Sequence, residues 1–300
     1  MHPSLFANPG APHRPNHGEP SLAQYRASDG YPLVWRQWRT RGLRPRACLV
    51  LLHGIQSHGG WYGYSCSRLA AAGYEVRLLD RRGSGLNARH RGHAPHEDRL
   101  IHDVVQALGQ ARHALPSETP IILGGVSWGG KLALAVALRR PELIDGLALL
   151  YPGLTPRIGP TRLQEAFLRL AYKSGLPPAL ITIPLNDPEL FTSVPRWQDY
   201  LRRDALALRQ VSSHFLHANL ELSVEIERAA RPLGKPLLLL LAGKDQIIDN
   251  ERTRGLFERL RDDQSQLLEY PAASHTLEFE PDPDRFVNDL SQWLSRMSRP

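Results

Sequence analysis

Largely apolar runs alternate with amphipathic segments along most of the chain. The runs at residues 47–52, 121–123, 145–151 and 237–241 are typical of strands buried within a parallel sheet, and further strands are predicted at residues 75–80 and 266–270. Residues 97–114 instead carry apolar side chains at positions i, i+3, i+4 and i+7, and residues 284–297 also place theirs on one face, so both segments are predicted helices. Strands that alternate with helices predict an α/β domain with a mostly parallel, doubly wound sheet.

The alternation stops after residue 152 and resumes at about residue 233. Prolines interrupt this stretch repeatedly and leave only short helical pieces, at residues 162–173, 199–208 and 215–227. We therefore expect a helical cap at residues 153–232, inserted into an α/β core made of residues 21–152 and 233–300. Such a cap commonly shapes a substrate pocket over the carboxyl edge of a sheet.

The start of the chain divides into two parts. Residues 1–20 are rich in proline and histidine and are expected to form a disordered tail. Residues 25–39 contain Ser28-Asp29-Gly30 between two strand-like runs, which predicts a hairpin at the edge of the sheet.

Composition narrows the class of protein. The chain has 300 residues, 42% hydrophobic and 22% charged, which suits one globular α/β domain with an insertion. Its net charge of +7 invites nucleic-acid binding, but the arginines are spread along the chain instead of clustering with aromatics, so no nucleic-acid partner is expected. No secretory signal and no apolar stretch of about 20 residues is seen, so a soluble, cytoplasmic protein is expected.

Residues 125–129 read Gly-Val-Ser-Trp-Gly, a G-x-S-x-G sequence between a predicted buried strand and an Ala/Leu-rich helix. A strand that turns at once into a helix needs glycines such as Gly125 and Gly129 at its close approaches, and it lifts the Ser127 hydroxyl above the sheet. The following helix directs its N-terminal amides at the same spot. An ordinary strand-to-helix turn is the alternative, but the flanking elements favour a nucleophile.

Three further segments complete a candidate site. His53-Gly54-Ile55 follows the strand at residues 47–52, where a loop that turns closely at Gly54 presents a backbone N–H to an oxyanion. Asp245 and His275 each follow a later strand, and a serine needs a base to take its proton and an acid to orient that base. The order Ser127, Asp245, His275 is the one that this sheet topology requires.

Two other polar clusters resemble ligand-binding sites but are better explained by structural roles. The loop at residues 80–85 has glycines and arginines but lacks the lysine and spacing of a phosphate-binding motif. His90, His93 and His96 are flanked by arginine, glycine and proline, so surface histidines are expected there instead of a zinc site. Cys48 and Cys66 have no ligand or disulfide spacing and are expected to be buried. No metal or organic cofactor is predicted.

Together these motifs resemble the α/β-hydrolase superfamily, specifically its monoacylglycerol lipase and lysophospholipase branch, which is grouped with the serine aminopeptidases of S33 type. The resemblance covers roughly residues 45–151 and 235–297, and the cap matches in placement only. It implies the α/β-hydrolase fold, an oxyanion hole made by the N–H groups of Ile55 and Trp128, and Asp245 as the acid, with Asp249 as the fallback. His53, Gly54, Gly125 and Gly129 support these motifs. Branch members usually carry smaller residues at the positions of Ile55 and Trp128, so a narrower acyl pocket is expected.

The expected activity is hydrolysis of a carboxylic ester with an apolar acyl or alcohol part, through an acyl-enzyme on Ser127. Monoacylglycerol-like, lysophospholipid-like and short-chain esters all fit this class of small-molecule substrate. An acyltransferase, a thioesterase and a peptidase share the same triad, and a binding protein without catalysis is the alternative from another class. The apolar residues of the cap also allow transient contact with a lipid surface. The oligomeric state is not predicted.

Overall fold

The computed structural model describes residues 18–40 and 44–298. The predicted N-terminal tail therefore lies outside the described residues, apart from residues 18–20. Ten strands are present in the described part: β1 (Ser21–Arg26), β2 (Pro32–Trp38), β3 (Cys48–Leu52), β4 (Glu75–Leu79), β5 (Ile121–Val126), β6 (Gly146–Leu150), β7 (Leu180–Thr182), β8 (Gln210–Ser212), β9 (Leu237–Ala242) and β10 (Gln266–Tyr270).

The helices lie between and after these strands. They are α1 (Gly63–Ala71), α2 (Glu97–Ala114), α3 (Trp128–Arg139), α4 (Arg162–Lys173), α5 (Pro195–Arg203), α6 (Ser213–Glu227), α7 (Asn250–Leu260) and α8 (Asp284–Met297). Short 3-10 turns occur at Gly59–Tyr62, Pro141–Leu143, Pro188–Leu190 and Leu277–Phe279. Across the part of the chain that the structure describes, every helix is too short or too polar to span a lipid bilayer.

Eight strands form one sheet in the order β1-β2-β4-β3-β5-β6-β9-β10, and β7 pairs with β8 in a separate two-stranded sheet. From β4 to β10 all neighbours are parallel, while β2 is antiparallel to both β1 and β4. Every residue of β3, β5 and β9 is buried, as expected for strands covered on both faces. The prediction of a mostly parallel sheet with an inserted cap is confirmed.

The direction in which the chain adds strands to the sheet reverses at β3. The crossover from β3 to β4 runs one way across the sheet and the crossover from β4 to β5 runs back, so right-handed connections place α1 and α2 on opposite faces. Helix α1 packs against α8, and α2 packs against α3. The carboxyl ends of β3 and β5 therefore flank a topological switch point, which is where open α/β sheets bind ligands.

The edge hairpin is confirmed, with β1 antiparallel to β2 and a turn that contains Gly30 at φ +77°. Its first strand begins at Ser21, four residues earlier than predicted at Tyr25. The predicted helix at residues 199–208 is displaced: α5 begins at Pro195, because proline is favoured in the first turn of a helix.

The insertion between β6 and β9 contains α4, α5 and α6, and also the two-stranded sheet of β7 and β8, which the sequence did not predict. Each of these strands has only three residues, too few for a periodic pattern. Helix α7, also unpredicted, begins after Asp249, whose side chain accepts a hydrogen bond from the Arg252 amide. The division of the chain at residues 152–153 and 232–233 stays a prediction.

Candidate active site

Ser127 lies at a strained turn between β5 and α3, with φ 49° and ψ −122°. A side chain at Gly125 would overlap with the Gly129 carbonyl, and one at Gly129 would overlap with the Leu52 carbonyl, so both flanking glycines are required. The Ser127 carbonyl accepts hydrogen bonds from the amides of Gly130 at 2.9 Å and Gly153 at 2.7 Å. These contacts hold the hydroxyl at the carboxyl edge of the sheet.

The structure brings Ser127, His275 and Asp245 together. Nε2 of His275 lies 3.0 Å from Ser127 Oγ, and Nδ1 lies 2.7 Å from Asp245 Oδ2. The other carboxylate oxygen of Asp245 accepts from the amides of Ile247 at 2.8 Å and Ile248 at 3.0 Å. With Nδ1–H donating to Asp245, Nε2 has a lone pair free to accept the serine proton.

The loops after β9 and β10 are joined by backbone hydrogen bonds, and this brings Asp245 and His275 together. The Gly243 amide donates to the Tyr270 carbonyl at 2.8 Å, and the Lys244 amide donates to the Ala273 carbonyl at 2.9 Å. Asp249, the fallback acid, instead caps α7. Its carboxylate therefore binds the helix terminus, and Asp245 is the carboxylate that contacts His275.

Aromatic rings enclose His275, which is 1% exposed. Tyr151, directly after β6, meets the imidazole edge to face at 5.1 Å, and Phe191 of the insertion does so at 5.9 Å. The Phe191 carbonyl also accepts a hydrogen bond from the Thr276 amide at 2.9 Å. The insertion therefore contributes to the walls that exclude water from the imidazole.

The loop after β3 passes directly beside Ser127. A methyl group at Gly54 would lie 3.3 Å from Ser127 Cβ, a tight contact that glycine avoids. His53 holds this loop, because its Nδ1 donates to the Gly54 carbonyl at 2.8 Å and its Nε2 accepts from the Arg81 amide at 2.9 Å. Burial, together with the positive charge of Arg81, lowers the pKa of His53 to about 3, so its ring is neutral.

The two predicted oxyanion donors belong to the two chain segments next to Ser127. Trp128 is the first residue of α3, and Ile55 follows Gly54 in the loop beside the nucleophile. The Trp128 indole is only 5% exposed: it packs 4.9 Å from the Phe215 ring and donates to Asn219 Oδ1 at 2.9 Å. The Trp128 indole therefore packs against α6. That the two amides form an oxyanion hole stays a prediction.

Sequence reasoning missed two polar clusters that join the insertion to the core. Lys131 is fully buried in α3 and donates to Asn219 and Ser223 of α6, at 2.9 and 2.8 Å. A lysine inside an otherwise apolar helix was the available signal. Asp204 contacts His58 and Trp61 across the same boundary. No local pattern marks that aspartate.

The loop at residues 80–85 has a structural role. Arg82 forms two hydrogen bonds with the buried carboxylate of Asp103, at 2.6 and 2.8 Å. The Arg81 guanidinium donates to the Ile55 carbonyl at 2.9 Å and stacks on the ring of Trp128. Both arginines therefore stabilise the fold around the switch point.

The histidines after this loop are only partly surface groups. His93 shares a hydrogen bond with Ser212 Oγ at 2.9 Å, and His96 caps α2, so both are partly buried, in contrast to the prediction of surface histidines. Within residues 18–40 and 44–298, no three histidine, cysteine or acidic side chains are grouped so as to hold a metal ion. Cys48 and Cys66 are buried, as predicted.

Comparison with known families matches residues 43–282 to the family described as serine aminopeptidase, S33. Two curated relatives align along nearly their whole length. One is a monoacylglycerol lipase of Mycolicibacterium smegmatis, 26% identical over 269 residues, which are 88% of this chain and 93% of the relative. The other is phospholipase YtpA of Bacillus subtilis, 28% identical over 253 residues, which are 82% of this chain and 93% of the relative.

Solved structures agree in fold. A soluble variant of the Saccharomyces cerevisiae monoglyceride lipase, in complex with a substrate analogue, superposes with a TM-score of 0.82 at 20% identity, over 96% of this chain and 99% of that one. The monoacylglycerol lipase of Paleococcus ferrophilus superposes with a TM-score of 0.78 at 25% identity, over 89% and 99%. The fold of this chain is therefore the α/β-hydrolase fold.

Proposed function

The chain belongs to the serine aminopeptidase S33 family of α/β-hydrolases, and from this premise we propose that it is a serine hydrolase that cleaves carboxylic esters with an apolar acyl or alcohol part. One observation carries the proposal. The His275 imidazole lies within hydrogen-bonding distance of both Ser127 Oγ, at 3.0 Å, and Asp245 Oδ2, at 2.7 Å. A hydroxyl, a base and an orienting acid in this chain of contacts are what acyl transfer to serine requires.

In the first half-reaction, Ser127 Oγ attacks the ester carbonyl while His275 Nε2 takes its proton. The negative charge that develops on the carbonyl oxygen is stabilised by the N–H groups of Ile55 and Trp128, and the N-terminus of α3 points at the same place. Asp245 stabilises the imidazolium. The tetrahedral intermediate then collapses, His275 gives its proton to the leaving alcohol, and an acyl-enzyme on Ser127 remains.

In the second half-reaction, a water molecule attacks the acyl-enzyme, and His275 again takes the proton. The same two amides stabilise the second oxyanion. The intermediate expels Ser127 Oγ, which recovers a proton from His275, and the carboxylic acid leaves. Every proton transfer uses the same nitrogen, so the geometry of one hydrogen bond serves the whole cycle.

The proposed substrate class is supported by the relatives and by the cap. The curated relatives carry the names monoacylglycerol lipase and phospholipase, which are lipid esterases. Helix α4 exposes a row of large apolar side chains, with Leu163 81%, Phe167 67% and Leu170 64% exposed, and Leu176, Leu180 and Ile181, later in the chain, are also exposed. Lone exposed apolar residues are common, but a contiguous row is not.

A lipid surface fits this row of α4. The three leading residues are spaced four and three positions apart, so they share one face of the helix. Arg162 and Lys173, both exposed, lie at its two ends and suit anionic head groups. We propose that the cap contacts the lipid aggregate from which an apolar ester enters.

A substrate panel with a covalent probe tests the proposed function. A fluorophosphonate should label the protein stoichiometrically at Ser127, and p-nitrophenyl esters of increasing chain length, a thioester, an aminoacyl amide and a competing alcohol acceptor should be compared as substrates. Ester hydrolysis that exceeds the other reactions supports the proposal. Preference for the amide, the thioester or transfer to the alcohol would favour a peptidase, a thioesterase or an acyltransferase, and absent labelling would favour a binding protein.

A further inference from the structure

Two carboxylates hold the oxyanion loop, defined as residues 53–60, from opposite sides. On the core side, Asp80 Oδ1 accepts a hydrogen bond from the Gly59 amide at 2.7 Å. On the cap side, Asp204 Oδ2 accepts from His58 Nε2 at 3.0 Å and from the indole N–H of Trp61 at 2.6 Å. The loop that carries the Ile55 amide is therefore completed by a residue of the insertion.

The Asp204 carboxylate is built into a buried site. Its side chain has no exposed surface, and its second oxygen accepts from the Leu206 amide at 3.0 Å. His58 Nδ1 accepts from the Gly60 amide at 3.0 Å, which leaves Nε2–H to donate to Asp204. Burial alone would raise the pKa of Asp204, but hydrogen bonds from His58 and Trp61 outweigh it and lower the pKa to about 2, so the group is charged.

The chain that follows Asp204 reaches the oxyanion loop directly. The Leu208 amide donates to the Gln56 carbonyl at 2.8 Å, and the preceding carbonyl of the loop, that of Ile55, accepts from Arg81 at 2.9 Å. Two successive peptide groups just after the Ile55 amide are thus fixed, one by the core and one by the insertion. A small rotation of either peptide would redirect the Ile55 N–H, and an oxyanion hole tolerates little error in the position of a donor.

We propose that Asp204 is a positioning residue for the oxyanion hole, which acts from the cap through His58 and Trp61 to aim the Ile55 amide at the reacting carbonyl. The inference rests on the proposed serine hydrolase function. Asp204 accepts hydrogen bonds from His58, Trp61 and the Leu206 amide, and through the first two its effect reaches the loop. The oxyanion hole is complete only while this part of the cap is docked.

Asp204→Asn tests the inference. Asparagine has one oxygen where aspartate has two, so it must turn its NH2 group toward either His58 and Trp61 or the Leu206 amide, all of which are donors. We expect kcat, measured per active site by fluorophosphonate titration, to fall about tenfold or more, with KM nearly unchanged, because the lost interaction acts in the transition state.

A transition-state analogue provides a measurement that a general loss of stability does not affect. A trifluoromethyl ketone adds to Ser127 and places an oxyanion in the hole, so its inhibition constant should rise by the factor by which kcat/KM falls. Trp61→Phe keeps the Asp204 carboxylate and removes one of its donors. It should lower kcat/KM and raise the inhibition constant by the same factor, and that factor should be smaller than for Asp204→Asn. Because both variants disturb one loop, their combined effect should be less than the product of the single effects.

Glu225→Gln is the matched control. Glu225 accepts hydrogen bonds from Arg139 at 2.7 Å and so also joins the cap to the core, away from the oxyanion loop. This variant should keep the wild-type kcat and inhibition constant. If Asp204→Asn or Trp61→Phe lowers only the melting temperature, with both quantities at wild-type values, Asp204 is merely structural and the inference is wrong. A wild-type protein without Ser127-dependent hydrolysis would instead overturn the proposed function, and the inference with it.

Discussion

His275 Nε2 lies 3.0 Å from Ser127 Oγ, although the two residues are 148 positions apart in the chain. The sheet accounts for this proximity, because β5 ends just before the serine and β10 ends just before the loop of the histidine, with only β6 and β9 between them. All four strands are parallel, so their carboxyl ends meet at one edge. Residues from distant parts of the chain are thereby fixed within hydrogen-bonding reach.

Replacement of Asp245 by asparagine should lower kcat on p-nitrophenyl butyrate on the order of a thousandfold or more. The amides of Ile247 and Ile248 point at one oxygen of Asp245, so the asparagine oxygen must remain there and its NH2 group must face His275 Nδ1. The imidazole is then held in the wrong tautomer. Asp249→Asn is the control: it removes charge from the cap of α7, and should lower the melting temperature slightly and leave kcat unchanged. The opposite pattern would make Asp249 the acid.

Gly54→Ala should lower kcat/KM by about tenfold or more while the protein still folds. The new methyl group would lie 3.1 Å from Ser57 Oγ and 3.3 Å from Ser127 Cβ, so the loop or these side chains must shift by a few tenths of an ångström beside Ser127. Gly109→Ala in α2 places a methyl group in open space and should raise stability by about 0.5–1 kcal/mol, with unchanged activity. Equal kcat/KM values for both variants and the wild type would show that the loop is not at the reacting centre.

Lys131 should make stability depend on pH in the alkaline range. Burial lowers its pKa to about 8 in the folded state, from about 10.4 in the unfolded state, so the unfolded chain binds more protons between these values. The free energy of unfolding should therefore rise with pH across this window, by about 1 kcal/mol or more relative to Lys131→Met. Urea unfolding of both proteins at pH 7.5, 9 and 10.5 measures the difference. If the free energies of unfolding of the two proteins change with pH in the same way, burial does not destabilise the Lys131 ammonium group.

Leu163→Glu combined with Phe167→Glu should abolish sedimentation with vesicles that contain anionic phospholipid. Both side chains are more than half exposed on one face of α4, and a carboxylate there opposes insertion among lipids. Hydrolysis of dissolved p-nitrophenyl butyrate should stay within about twofold of wild type, because the change lies on the exposed surface of the cap. Gln292→Glu, on the exposed side of α8, adds charge elsewhere and should still sediment. If the double variant binds vesicles like wild type, the row of α4 is not the lipid contact.

Much of the fold was predictable because its signals are local. Helix α2 begins and ends as its apolar spacing predicts, and β10 has the predicted bounds, since each element carries its own periodicity. The strained turn at Ser127 is marked by the glycines that it requires. The three side chains of the candidate triad could be selected because each follows a strand, although their catalytic roles stay predictions.

Other features depend on tertiary contacts and carry no local signal. His58 and Asp204 are 146 positions apart, and nothing near either residue indicates that they meet. The strands β7 and β8 are short, and every residue of β7 is exposed, so neither has an alternating pattern. Helix α5 starts at Pro195, earlier than predicted, because the proline forms its first turn and the chain before it carries no helical periodicity.

The claim that Ser127 and His275 act as one unit is tested most directly by the kinetics of Ser127→Ala, His275→Ala and the double variant on p-nitrophenyl butyrate. When two residues act as a unit, removing either one already removes the contribution of both. Each single change should therefore lower kcat by on the order of a thousandfold or more, and the double variant should be no slower than the slower single variant. Circular dichroism should show that all three proteins are folded. Wild-type activity in Ser127→Ala, or losses that multiply in the double variant, would contradict the account.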